Sequence, residues 1–215
     1  MVRVVIIFLF TIQCFAQDTE SGKNFYIKTA PIGVIDFYNG PQLNVSFENH
    51  FFSLSGLNSE IGFHFPFLDF ISDWENIKGF IWKEEFRTYF SNDEKNSAYW
   101  AIESSVGYQK YGRTDLVDIY PLVPDSVLTY TAERKYAGVT FNIGQKTSFK
   151  SGLMIEYFFG LGLRLNHVKT SLSEFDNERR YFGDWTVPNN WNQRAGLNVI
   201  PKFNFGIRIG FCVRD

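Results

Sequence analysis

At 215 residues, with a formal net charge of −2 and 20% charged side chains, the chain lacks the basic excess of a nucleic-acid binder and the charge density of a disordered one. Aromatic residues make up 19% of it, and the mean hydropathy of −0.16 excludes a bundle of membrane-crossing helices. Neither nucleic acid nor an acidic lipid surface is implied as a partner.

The chain opens on Met-Val-Arg, then an apolar stretch from Val4 to Ile12, then Cys14-Phe15-Ala16. A basic start, a short apolar core and small residues before a cut make up a secretory signal. The apolar stretch is too short to span a bilayer as a helix. We therefore read residues 1–17 as a signal peptide and residues 18–215 as one domain. Removing the signal removes Arg3 alone among charged residues, leaving 20 basic against 23 acidic side chains and a net charge of −3. Cys212 is then the sole cysteine, so no intrachain disulfide is expected.

Eight strands are expected. The first, Asn24–Phe37, contains Pro31 and ends at Asn39-Gly40, a strong hairpin signal. Gln42–Glu48 alternates Leu43, Val45 and Phe47 against Asn44, Ser46 and Glu48, and a turn follows at Asn49-His50. Phe52–Phe65 alternates less cleanly, with an expected bulge near Ser53–Gly56. Phe80–Phe90 sets Phe80, Trp82 and Phe86 against Lys83, Glu85 and Arg87. Tyr99–Tyr111 and Arg134–Ile143 behave likewise. Two long runs close the chain. Ile155, Tyr157, Phe159, Leu161, Leu163 and Leu165 oppose Glu156, Phe158, Gly160, Gly162, Arg164 and Asn166. Phe203, Phe205, Ile207, Ile209 and Phe211 oppose Lys202, Asn204, Gly206, Arg208, Gly210 and Cys212. A strict period of two means strand, and each run is as long as a membrane-crossing one, roughly 9–11 residues plus overhang. An apolar face opposite a polar, glycine-rich face is the pattern of a transmembrane β-barrel.

Connection lengths agree. Turns between strands two and three, four and five (Ser91–Ser97), and six and seven (Gly144–Gly152) are short. Pro66–Gly79, Gly112–Thr131 and Ser171–Ala195 are long. Outer-membrane barrels keep short turns on the periplasmic side and long loops outside. The fold expected is all-β: an eight-stranded antiparallel up-and-down transmembrane β-barrel, with a soluble β-sandwich as the alternative. Tyr99, Trp100, Tyr108, Tyr111, Tyr136 and Phe211 are the expected interfacial aromatics, since so many bulky groups would overfill a narrow interior.

With Lys28 in Ile27-Lys28-Thr29 and Phe47-Glu48 closing the second strand, the chain resembles the small eight-stranded outer-membrane barrels of Gram-negative bacteria, an uncharacterised OmpA/OmpX-like family. The segment from Phe205 to Phe211 resembles the C-terminal signal read by the outer-membrane insertion machinery, although four residues follow Phe211. The resemblance implies a fold and an outer-membrane location, with membrane lipid and that machinery as partners, and no activity.

The expected interior carries Lys28, Glu48, Glu60, Lys83, Glu85, Arg87, Glu103, Glu156, Arg164, Lys202 and Arg208, with His64 and Arg134 beside them. Interleaved signs inside a narrow barrel read as a salt-bridge plug, with a proton or ion path as the alternative. Glu85, Arg87, Glu103 and Arg164 are expected in one network. Inward glycines 107, 138, 160, 162, 206 and 210 are expected to let long charged side chains cross the lumen. Phe175, Tyr181, Phe182, Trp185 and Trp191 in the last loop are candidate contacts for an extracellular ligand or for lipid headgroups.

The three histidines show no metal-ligand spacing. His167 with Ser171 or Ser173 is a thin echo of the rim pair used by outer-membrane lipid deacylases. The functional expectation is a monomeric, non-catalytic barrel with a structural or surface-interaction role and no cofactor or metal. A small pore for ions or hydrophobic solutes is the alternative, and a lipid-modifying enzyme the third reading.

Overall fold

The computed structural model describes residues 25–30, 42–64, 75–91, 93, 95–117, 126–172 and 195–213. Eight strands form one closed barrel in chain order: β1 (Phe25–Thr29), β2 (Gln42–Phe52), β3 (Ser55–His64), β4 (Glu75–Tyr89), β5 (Asn96–Val117), β6 (Ser126–Ser148), β7 (Leu153–Thr170) and β8 (Gly196–Val213). Every neighbour is antiparallel, and β1 pairs with β8 to shut the ring. The closed up-and-down barrel therefore stands and the sandwich does not. Closure leaves no open edge along the wall. The first hairpin signal, Pro31 and the proposed signal peptide lie outside the described residues.

Side-chain alternation holds along each wall as the sequence implies. On β7, Tyr157, Phe159, Leu161, Leu163 and Leu165 point out, while Glu156, Phe158, Arg164 and Asn166 are buried inside. Three expectations need correction. First, β2 runs on through Asn49-His50 to Phe52, and the tight turn falls at Ser53-Leu54. His50 is thus an inward strand residue, held by stacking on Tyr89. The register irregularity lies between His50 and Phe52.

Second, most of the segment read as a loop at Gly112–Thr131 is strand. Residues 113–117 pair with residues 126–130 beyond the point where β4 and β7 stop pairing. The β-branched and aromatic run Thr129-Tyr130-Thr131 suits this conformation. The result is a two-stranded ribbon that stands above the rim by five residues, about 17 Å.

Third, Tyr99, Tyr111 and Tyr136 are buried inside rather than at the membrane interfaces. Glycine makes the room for Tyr99 and Tyr136, while Tyr111 faces the small Ala132. Gly144 lies opposite Tyr99, Gly107 opposite Tyr136 and Gly206 opposite Phe158. A Cβ at any of these glycines would collide with the facing ring. Of the inward glycines expected to let charged side chains cross, Gly107 and Gly206 seat rings instead, while Gly210 lies against Lys28 and Gly138 against Arg164. Trp100, Tyr108 and Phe211 do point out.

Candidate functional site: the charged interior

The alternation that turns apolar side chains outward drives charges from all eight strands into one narrow space. Glu156 on β7 sits at the centre. It accepts hydrogen bonds from Lys28 Nζ at 2.8 Å, from Arg87 Nη1 and Nη2 at 2.8 Å each, from Arg208 Nη1 at 2.6 Å and from the Tyr99 hydroxyl at 2.8 Å. Glu48 takes Lys28, Arg87 Nη1 at 2.7 Å, Lys146 Nζ at 3.1 Å and the Tyr89 hydroxyl. Its Oε1 also lies 2.5 Å from His50 Nε2. Glu85 pairs with Arg87 at 2.7 Å and Arg208 at 3.2 Å, and Glu60 with Lys83 at 2.6 Å and Arg208 at 2.9 Å. One continuous network thus joins five cations (Lys28, Lys83, Arg87, Lys146, Arg208) to four carboxylates (Glu48, Glu60, Glu85, Glu156). Charges this far from solvent persist only when paired and hydrogen-bonded.

Aromatic faces carry part of the cationic excess. The Arg87 guanidinium lies 4.5 Å from the Tyr99 ring centre and that of Arg208 4.1 Å from Phe158. Lys146 Nζ lies 4.1 Å from Tyr26 and 4.6 Å from Tyr89.

Glu103 belongs to a second group. Lys202 Nζ bonds it at 2.6 Å and also donates to Ser105 Oγ at 3.0 Å, while Asn204 donates to Glu103 at 2.9 Å. Asn142 Nδ2 bridges the groups, 3.3 Å from Glu103 and 3.4 Å from Glu85. Of the four residues expected in one network, Glu85 and Arg87 pair directly and Glu103 is reached through Asn142. The Arg164 guanidinium lies against the Tyr136 ring, 5.1 Å from its centre. Arg134 contacts the same ring at 5.5 Å and donates to Gln109, whose Nε2 lies 2.7 Å from His64 Nε2.

Two buried clusters lie beside the charges: Tyr89, Tyr99, Ala101 and Phe158 in one, and Ile77, Tyr111, Tyr130 and Ala132, with Leu172 against them, in the other.

Sequence reasoning missed several members. Lys146 fell in an expected turn, and Tyr89 carried no sign of its partners. Outside the interior, Glu84 shares the outward phase of Trp82 and Phe86. It is nevertheless 7% exposed, bonded by Ser59 Oγ and Trp82 Nε1 at 2.7 Å each.

His167 points outward and is exposed, and Ser171 Oγ accepts the Thr131 N–H at 3.0 Å. Ser173 and the loop aromatics Phe175, Tyr181, Phe182, Trp185 and Trp191 lie outside the described residues.

No family model matches the chain, and no curated protein matches it by sequence. Among solved structures it is similar to a major outer membrane protein from Thermus thermophilus. The identity is 10% and the TM-score 0.42, over 89% of this chain and 100% of that one.

Proposed function

We propose that this chain is a non-catalytic outer-membrane β-barrel of the OmpA/OmpX-like, Gram-negative type. Segment 1–17 exports it, and the insertion machinery assembles it through β8. Its own side chains close the lumen, and its role is structural or in contact with a ligand outside the cell.

The observation that carries this reading is the inverted polarity of the wall. Phe141, Leu163 and Phe205 are 53%, 62% and 60% exposed, while Arg87, Glu103, Arg134 and Glu156 are at 0%. In water that distribution opposes folding, since apolar burial is the main driving force. In a bilayer it is required, because hydrocarbon accepts apolar side chains and only a closed ladder satisfies the backbone.

The continuous ion-paired filling favours a plug over a pore. The β5–β6 ribbon above the rim supports a contact role, since it offers strand edges beyond the wall.

Reconstitution in lipid vesicles and planar bilayers tests the reading. The expected protein is detergent-dependent, shifts in gel mobility on heating, and gives no discrete current steps. Reproducible steps would favour the pore. A monodisperse, detergent-free soluble protein would overturn the membrane placement.

A further inference from the structure

On the outer wall, at one register level, Ser59 of β3 faces Glu84 of β4, and Glu84 faces Ser104 of β5. The three side chains make a polar row in an apolar surface. Ile61, Trp82 and Val106 occupy the next outward level on one side, and Leu57, Phe86 and Ile102 on the other. Phe47 of β2 and Val139 of β6 close its two ends. The row is therefore surrounded by hydrocarbon-compatible side chains, away from both rims.

Glu84 turns toward β3. Its carboxyl takes one bond from Ser59 and one from Trp82, which leaves acceptor capacity on both oxygens. Ser104 is exposed and makes no hydrogen bond among the described residues. A hydroxyl facing hydrocarbon without a partner is costly, and lipid tails offer none at that depth. Headgroups lie at the edges of an apolar band about 25 Å tall.

We infer that the β3–β5 wall is a self-association surface, on which a second copy of this chain sets its polar row against this one, Ser104 of each copy donating to Glu84 of the other. The inference rests on the membrane placement proposed above. Two copies inserted the same way round are related by an axis along the membrane normal, so every residue keeps its depth. The row of one copy is then level with that of the other. It carries both a donor and an acceptor, as a self-complementary two-fold interface needs. The monomer expected from the sequence is the outcome that would count against this surface.

The test uses the mature chain with Cys212→Ser, inserted in phosphatidylcholine vesicles, with Val106→Cys as the probe beside the row. Phe205→Cys on β8 is the control on the far wall. A short bifunctional maleimide should give a dimer band at Val106 at least roughly tenfold stronger than at Phe205. Ser104→Ala or Glu84→Leu should each lower it by roughly fivefold or more, as expected for losing a bond in both halves of the interface. Heat-dependent gel mobility and carbonate-resistant retention, measured on every sample, report the barrel itself. An inserted barrel with equal bands at both probes, or a Val106 band unchanged by Ser104→Ala, overturns the dimer alone. A parent chain that never inserts overturns the membrane placement and the dimer with it.

Discussion

Replacing Glu156 with Gln tests the interior most sharply. The carboxylate touches Lys28, Arg87 and Arg208 and accepts from Tyr99. Glutamine keeps the volume, removes the charge, and turns two donors toward groups that are themselves donors. Breaking a buried pair costs about 3–5 kcal/mol when the remaining charge is uncompensated. Here each cation keeps another carboxylate: Lys28 and Arg87 keep Glu48, and Arg208 keeps Glu60 and Glu85. The loss should therefore fall at the lower end, about 3 kcal/mol. The network already holds one more cation than carboxylates, so deleting a cation should be milder. Lys146→Met leaves Glu48 with Lys28 and Arg87 and should cost about 1 kcal/mol. Urea unfolding in lipid vesicles, followed by tryptophan fluorescence, reads both. The reasoning is refuted if Lys146→Met proves the more damaging, or if Glu156→Gln leaves the midpoint unmoved.

Three further outcomes are expected. Phe159→Arg or Leu161→Arg should destabilise the inserted barrel by about 2–4 kcal/mol, and Leu197→Arg near the rim by about 1 kcal/mol or less, by vesicle unfolding. Gly144→Val should displace the Tyr99 ring and cost about 1–3 kcal/mol, with a changed near-ultraviolet dichroism signal. An epitope tag between Asn189 and Asn190 should be detected on intact cells, and one beside Lys95 only after lysis. The reverse pattern would invert the barrel.

The strand count and the face of nearly every strand residue were legible, because period-two alternation is imposed directly by the pleat. Where strands end was less so. Nothing local at Asn49-His50 or Gly112-Arg113 reveals pairing that depends on a neighbouring strand's length. The inward tyrosines were hidden for a related reason. Tyr99 and Tyr136 fit inside because the residues facing them across the ladder are Gly144 and Gly107, and that needs register. Interior charge was legible as a set but not as pairs. Glu103 meets Lys202, 99 positions away, and Glu48 meets Lys146, 98 positions away. Glu84 was missed, since its bonds from Ser59 and Trp82 depend on register and rotamer.

The central claim is that the apolar wall faces hydrocarbon around a filled interior. Nitroxide labels at Val139, Phe141, Phe159 and Leu161 in vesicles test it most directly. The account predicts quenching by oxygen, which partitions into lipid, and little by a water-soluble nickel chelate. Strong quenching by the nickel chelate at these four positions would contradict it.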